Sequence, residues 1–312
     1  MIGFVFPGQG SQAAGMGKDL AEAFPVCRRT FQEADEALGM AISRLCFEGP
    51  DSELQLTAVA QPAILAASVA AWRALAEAGI APRAVAGHSL GEYSALVAAG
   101  SLDFGDALRL VRRRGLYMQE AVPVGEGSMA AILGLDRETL EEVCRQAREE
   151  QGAGAVAAPA NLNAPGQVVI SGHTAAVDRA VALAQQRGAR RAVRLQVSAP
   201  FHCELMRPAA ERLAADLEAA AFADPAVAVV TNVDARPVRT GAEARRALAA
   251  QVTAPVRWEE SVMALGAMGV TRAVEVGPGR VLCGLIKRIE AGVSCAAGGD
   301  VPSITALKEG PA

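Results

Sequence analysis

Val85-Ala86-Gly87-His88-Ser89-Leu90-Gly91-Glu92-Tyr93 reads as the end of a strand, a sharp turn and the start of a helix. Small residues from Ala84 to Ala86 suit a buried strand, and good helix formers follow from Glu92 to Ala99. The Gly-x-Ser-x-Gly spacing puts the serine at the apex of a strained turn, while the glycines let helix and strand approach closely. Ser89 is thereby offered to a ligand, with a helix N-terminus beneath it to stabilise developing negative charge. The same five-residue pattern also serves as a plain strand-to-helix turn with a capping serine, so the surrounding chain has to decide between nucleophile and cap.

The chain has 312 residues, about half of them apolar and few aromatic, which suits an alanine-rich α/β protein better than a β-sandwich. A net charge of -4 makes no electrostatic case for nucleic acid or an anionic membrane as partner. The six cysteines (Cys27, Cys46, Cys144, Cys203, Cys283, Cys295) form no Cys-x-x-Cys pair, and the histidines are not clustered. Reduced thiols in a cytoplasm, with neither metal site nor disulfide framework, are the expectation. The N-terminus lacks a basic segment ahead of its first apolar run, so no signal peptide is expected. The uncharged run Leu54 to Trp72 is long enough to suggest a membrane span, but Gln55, Thr57, Gln61 and Pro62 within it argue for a buried helix.

Ahead of the serine, a strand over Ile2 to Phe6 runs into Pro7-Gly8-Gln9-Gly10-Ser11-Gln12. Its glycines miss the dinucleotide-binding spacing, and Gly17-Lys18-Asp19 is not a phosphate loop. The loop is either an ordinary turn or the donor of one backbone N–H to an oxyanion. Beyond the serine, Asp103 can cap a helix from Phe104 to about Glu120, whose apolar face carries Phe104, Ala107, Leu108, Val111, Gly115 and Met118. Arg114 falls at the edge of that stripe. An arginine turned halfway into a core needs an anion, either a protein carboxylate or a substrate.

Between Pro123 and Pro200 the pattern becomes βαββαβ: strands at Met129–Leu133, Ala155–Asn161, Gln167–Ser171 and Ala192–Val197, with helices at Asp136–Glu149 and Thr174–Arg187. That order is the ferredoxin-like split. We expect residues 124–198 to form a small subdomain set into a larger one made of 1–123 and 199–312. His173 reads as a surface or capping residue. The larger unit resumes at Ala199-Pro200-Phe201-His202-Cys203. His88 adjoins Ser89 in sequence and projects away from it at such a turn, so elimination leaves His202 as the best base for Ser89, against a plain packing role. Later come a strand at Val227–Val233, a helix at Ala242–Leu248, the segment Gln251 to Trp258, a strand at Arg272–Val276 ending in Gly277-Pro278-Gly279, and a helix carrying Leu282, Leu285, Ile286 and Ile289. The tail beyond Ala291 is expected to be peripheral, apart from a short strand near Pro302–Leu307.

The stretches Phe6–Gln12, Gln61-Pro62, Gly87–Tyr93, Arg114-Gly115, Asn161–Gly172, Pro200–Cys203, Gln251–Trp258 and Glu275–Gly279 together resemble one family. It comprises the malonyl-CoA:acyl carrier protein transacylases of bacterial fatty acid synthesis and the related acyltransferase domains of polyketide synthases. The resemblance covers nearly the whole chain in order. It implies an α/β-hydrolase-like core with a parallel sheet plus the inserted ferredoxin-like subdomain, and an active site in the cleft between them. It further implies that Ser89 attacks the malonyl thioester with His202 as base, and that the backbone carbonyl of Gln251 orients the histidine. The N–H groups of Gln9 and Leu90 would form the oxyanion hole, and Arg114 would grip the free malonyl carboxylate, with Phe201, His88, Gln61 and Asn161 around the substrate.

Phe201 stands where the family varies the residue before the histidine, and its ring would crowd an α-methyl branch. No resident cofactor is implied: the coenzyme A thioester is a substrate, and phosphopantetheine belongs to the partner, acyl carrier protein. Arg187, Arg190, Arg191 and Arg194 form a basic cluster that is either a solvated face or a dock for that acidic carrier. A monomer is expected. A serine esterase or thioesterase shares the turn but would normally place an acid between serine and histidine, and a non-catalytic acyl-binding protein would need neither Ser89 nor His202. A stand-alone acyltransferase serving a polyketide synthase is not separable from a fatty acid enzyme on sequence.

Overall fold

The computed structural model describes residues 1–289 and 292–310. Among these, the strands run in chain order as β1 (Ile2–Phe6), β2 (Ala84–Gly87), β3 (Gly127–Leu133), β4 (Ala157–Ala164), β5 (Gln167–His173) and β6 (Arg191–Arg194), then β7 (Ala228–Val230), β8 (Pro237–Val238), β9 (Arg272–Glu275) and β10 (Ser294–Ala297). Six of them form one sheet in the order β10-β9-β1-β2-β7-β8, parallel throughout except for the terminal β7–β8 pair. The other four form a separate antiparallel sheet, β4-β5-β3-β6. The expected α/β class, a parallel core sheet with a small βαββαβ sheet beside it, is the observed one.

The central strands β1 and β2 are apolar and, Ile2 apart, buried along their length, because helices cover both faces. Thr57–Glu77 is the largest of those helices, and its residues from Ala60 to Ala71 are all buried. By length and composition it could cross a membrane, but it is enclosed by the rest of the protein, as its polar residues suggested. It crosses the helix Phe104–Glu120 at Gly115, where an added Cβ would sit 2.6 Å from the Thr57 carbonyl oxygen. That close crossing draws the neighbouring Arg114 into the core. Asp103 caps this second helix by accepting from the Asp106 N–H, and the buried face is the one its spacing predicts.

The antiparallel sheet packs its own helices, Arg137–Gln151 and Thr174–Gln186, over a separate apolar cluster that includes Ile132, Val143, Ile170 and Val177. Two backbone bonds tie its outer strand β4 to the larger body: Leu162 N–H donates to the Val256 carbonyl and Val256 N–H to that of Ala160, both at 2.8 Å. β6 is shorter than expected: Leu195 N–H still donates to the Met129 carbonyl of β3 at 2.8 Å, and Gln196 to Ser198 continue beyond the strand. His173 occupies the N-cap position of its helix, but its Nδ1 accepts from the Val156 N–H instead of capping.

Two expectations need correction. The strand near the C-terminus is β10, Ser294–Ala297, which extends the parallel sheet, whereas Val301–Lys308 is a helix. Asp300 and Ser303 make a capping box there and a proline sits in the first turn, which together start a helix. The thiols are also not all reduced: Cys283 and Cys295 form a disulfide between the helix Val281–Ile289 and β10. They are 12 residues apart, and only the parallel pairing of β9 with β10 brings them together. The Glu275 carboxylate lies beside them, but its oxygens accept from the Leu282 and Cys283 N–H groups, making it an anchor for the helix start. Cys27, Cys46, Cys144 and Cys203 are free and buried.

Candidate active site

The turn after β2 is as sharp as its glycines foretell. Ser89 has φ +51°, in the left-handed region, and a Cβ on Gly91 would lie 2.1 Å from the Phe6 carbonyl oxygen, so no larger residue fits there. His202 enters from the loop after the small sheet, also at positive φ (+59°). The two side chains meet, with Ser89 Oγ 2.7 Å from His202 Nε2. On the other side of the ring, Nδ1 lies 3.0 Å from the backbone carbonyl of Gln251, which can only accept. The proton of the neutral imidazole therefore sits on Nδ1, and Nε2 presents its lone pair to the serine hydroxyl.

Arg114 is 2% exposed, and its guanidinium reaches the same point. Nη2 donates to Ser89 Oγ at 3.1 Å and to Gln251 Oε1 at 2.9 Å, while Nη1 donates to Gln61 Oε1 at 2.9 Å. Among the described residues no protein carboxylate bonds it directly. Amide oxygens hold the cation in place, while Tyr93 and Glu92 favour its charged form through space. Burial first, and then Arg114, push the His202 pKa down to about 3, so the ring is neutral and ready to accept a proton.

A cleft of about 330 Å³ opens over these groups, and Ser89, His202, Arg114, Gln9, Leu90, Gln61, His88, Asn161 and Phe201 all line it. The N–H groups of Gln9 and Leu90 have no acceptor among the described residues. Gln9 is fixed through its side chain, whose Nε2 donates to Thr57 Oγ1 at 3.2 Å. His88 points away from the serine as expected, with Nε2 2.8 Å from Asn163 Oδ1 and its ring against Trp258. Burial holds its pKa below the usual imidazole range.

Two residues at the site escaped the sequence reading, Asn232 and Glu92. Asn232 Oδ1 accepts from the Ser89 N–H at 2.7 Å, and its Nδ2 donates to the Gly87 carbonyl at 2.6 Å, bracing the turn from below. Glu92 is wholly buried and accepts at Oε2 from the Asn232 N–H and from Gln251 Nε2, both at 2.9 Å. Burial raises its pKa to about 7 against the lowering effect of those bonds and of Arg114. One available signal was the polar Thr231-Asn232 pair at the carboxyl end of an apolar parallel strand, where α/β proteins place their sites. In the basic cluster, Arg187 pairs with Glu142 and Arg194 with Asp178, while Arg190 and Arg191 have no acidic partner among the described residues.

The acyl transferase domain model matches residues 3–297. The chain is 52% identical to the malonyl CoA-acyl carrier protein transacylase of Bacillus subtilis (strain 168), over 92% of this chain and 90% of that one. Among solved structures it is similar to a transacylase of the same name from Coxiella burnetii, at a TM-score of 0.95, with 44% identity covering 99% of this chain and 96% of that one. It is equally similar in structure, at a TM-score of 0.95 with 49% identity over 99% of both chains, to a malonyl-transacylase solved in complex with a type II polyketide synthase acyl-carrier protein.

Proposed function

Because the chain belongs to the acyl transferase domain family, we propose that its site works as that of a malonyl-CoA:acyl carrier protein transacylase, through a malonyl-serine intermediate. The enzyme moves a malonyl group from coenzyme A to the phosphopantetheine thiol of acyl carrier protein. The observation that carries the mechanism is the 2.7 Å contact between Ser89 Oγ and the unprotonated Nε2 of His202, with Arg114 3.1 Å from the same oxygen.

Ser89 Oγ attacks the thioester carbonyl as His202 Nε2 takes its proton, and the carbonyl oxygen becomes an oxyanion held by the free N–H groups of Gln9 and Leu90. Collapse breaks the C–S bond, and His202 returns the proton to the departing thiolate. The carrier's thiol then gives its proton to His202 and attacks the malonyl-serine ester; the acyl C–O bond breaks, His202 returns the proton to Ser89 Oγ, and the malonyl group leaves on the carrier's sulfur. Arg114 pairs with the free carboxylate of malonate, and its lack of a directly bonded carboxylate favours a carboxylated acyl group over acetyl. The Gln251 carbonyl stands in for the acid of a serine hydrolase triad, which argues against a plain esterase. The Phe201 ring narrows the site against an α-methyl branch.

We read residues 124–198 as a small subdomain over a catalytic one formed by 1–123 and 199–312. Its separate sheet and core support that division. We place the carrier's docking surface near Arg187, Arg190 and Arg191, because β6 leads straight into the cleft-lining run Leu195–Ser198 and Arg190 and Arg191 are free to meet acidic groups.

The test is intact mass spectrometry after brief incubation with malonyl-CoA, beside Ser89→Ala, followed by a chase with phosphopantetheinylated carrier. An adduct on the wild type alone that moves to the carrier is the expected result. An adduct lost only to water would mean a hydrolase, and no adduct would overturn the reading.

A further inference from the structure

Ser89, His202 and Arg114 come from three separate parts of the chain, yet Asn232 and Gln251 between them bond all three, Gln61 holding Arg114 as well. Asn232 accepts from the Ser89 N–H. Gln251 accepts from His202 at its backbone carbonyl and from Arg114 at Oε1, and its Nε2 donates to the Ser89 carbonyl at 3.0 Å. Both of these residues are in turn held by a single atom, Glu92 Oε2.

The side chain of Gln251 can be placed two ways round. With Nε2 toward Glu92, its oxygen faces the arginine, whereas the flipped amide would turn its NH₂ donors onto the Arg114 cation and leave Glu92 facing an oxygen. We infer that Glu92 is the positioning residue of this site, an acceptor that fixes the orientation of the Gln251 amide and through it the aim of Arg114. This inference rests on the malonyl-transfer reading above.

The role asks for an acceptor more than for a charge. Among the described residues Glu92 Oε1 has no partner, so a proton can sit there while Oε2 keeps both of its bonds. The charged groups around it are few. Arg114 comes from the helix Phe104–Glu120 and Asp234 from the loop after β7, with opposite effects on its ionisation, and the Tyr93 hydroxyl lies beside both Glu92 and Arg114. A carboxyl whose pKa is near 7 accepts at Oε2 in either state.

The experiment measures Ser89 acylation rates with malonyl-CoA and acetyl-CoA in wild type, Glu92→Gln, Glu92→Leu and Gln251→Met. Leucine removes the acceptor, and we expect malonyl acylation to fall at least about 100-fold and the malonyl-to-acetyl ratio at least about tenfold, as for a misaimed group. Glutamine offers an oxygen at the same place and should stay within about threefold of wild type. Gln251→Met keeps the backbone carbonyl but removes the relay, and should reproduce the loss of ratio. Combined with Glu92→Leu it should add nothing further.

A residue that merely filled space would lower the melting temperature and leave the ratio alone. An unchanged ratio in Glu92→Leu and Gln251→Met overturns the inference, as does a Glu92→Gln enzyme no better than Glu92→Leu. If Glu92→Leu does not fold, Gln251→Met decides by the same ratio. A wild type that takes no malonyl group would overturn the functional reading and this one with it. A malonylated wild type whose variants keep its ratio overturns this one alone.

Discussion

Arg114 and Gln251 meet through a 2.9 Å bond from Nη2 to Oε1, so an amide, not a carboxylate, faces the buried cation. The arginine is oriented by an amide, and on the proposed function a substrate carboxylate is the anion that pairs with it. Arg114→Ala should therefore reduce malonyl acylation about 10- to 150-fold, the worth of a hydrogen bond to a charged group, and leave acetyl acylation less affected. Arg114→Lys should restore little, because a point charge cannot reproduce the fork. Single-turnover acylation by both thioesters checks this.

His202 titrates far below its ordinary value because it is buried and faces Arg114. The acid limb of kcat/KM for malonyl-CoA should consequently lie well below pH 6.5. In Arg114→Ala the limb should move upward, yet stay under pH 6.5, since burial is the larger cause. An acid limb at or above pH 6.5 in the wild type would contradict the neutral ring.

The same shift has a consequence for folding. Between pH 6.5 and about 3 the unfolded chain holds a proton on residue 202 that the native one lacks, so this group's contribution to stability falls as pH drops through that window. Glu92, raised to about 7, works in the opposite sense between about pH 7 and 4.5. Comparing urea unfolding of wild type and His202→Gln at pH 7 and pH 5 isolates the histidine, because both proteins keep Glu92. The wild type should lose more stability on acidification.

Phe201 is nearly buried and lines the cleft one residue before the base. Phe201→Ser should raise the ratio of methylmalonyl to malonyl acylation at least about tenfold, the usual scale for one methyl group in an apolar pocket. Competition between the two thioesters, read by intact mass, measures it.

Arg190→Glu with Arg191→Glu should leave acylation by malonyl-CoA unchanged and raise the KM for the carrier. The salt dependence of transfer should flatten in the same variant. Equal KM values and salt slopes would remove this surface from the docking reading.

The elements that were legible in the sequence are those whose cause is local. The serine turn, the capped helix Phe104–Glu120 and the βαββαβ order each follow from spacing, caps and glycines within one short segment. Ser89, His202 and Arg114 could be named, but the meeting of Ser89 with His202 spans 113 positions of chain. Glu92 and Asn232 stayed hidden for that reason: an acid at a helix start reads as a dipole partner, and an asparagine after a strand as a turn. Cys283 and Cys295 pair only once β10 joins the sheet. The C-terminal helix, by contrast, carries a local start signal in Asp300, Pro302 and Ser303.

Ser89 and His202 both sit at positive φ, a conformation that costs a non-glycine residue on the order of 1 kcal/mol. At those positions the chain would gain durability by giving up its chemistry. Ser89→Gly should outlast the wild type on heating while transferring nothing, so a screen for heat resistance alone would drift toward inert proteins. Any programme to toughen this enzyme has to select for turnover at every round and look for its gains away from these two residues.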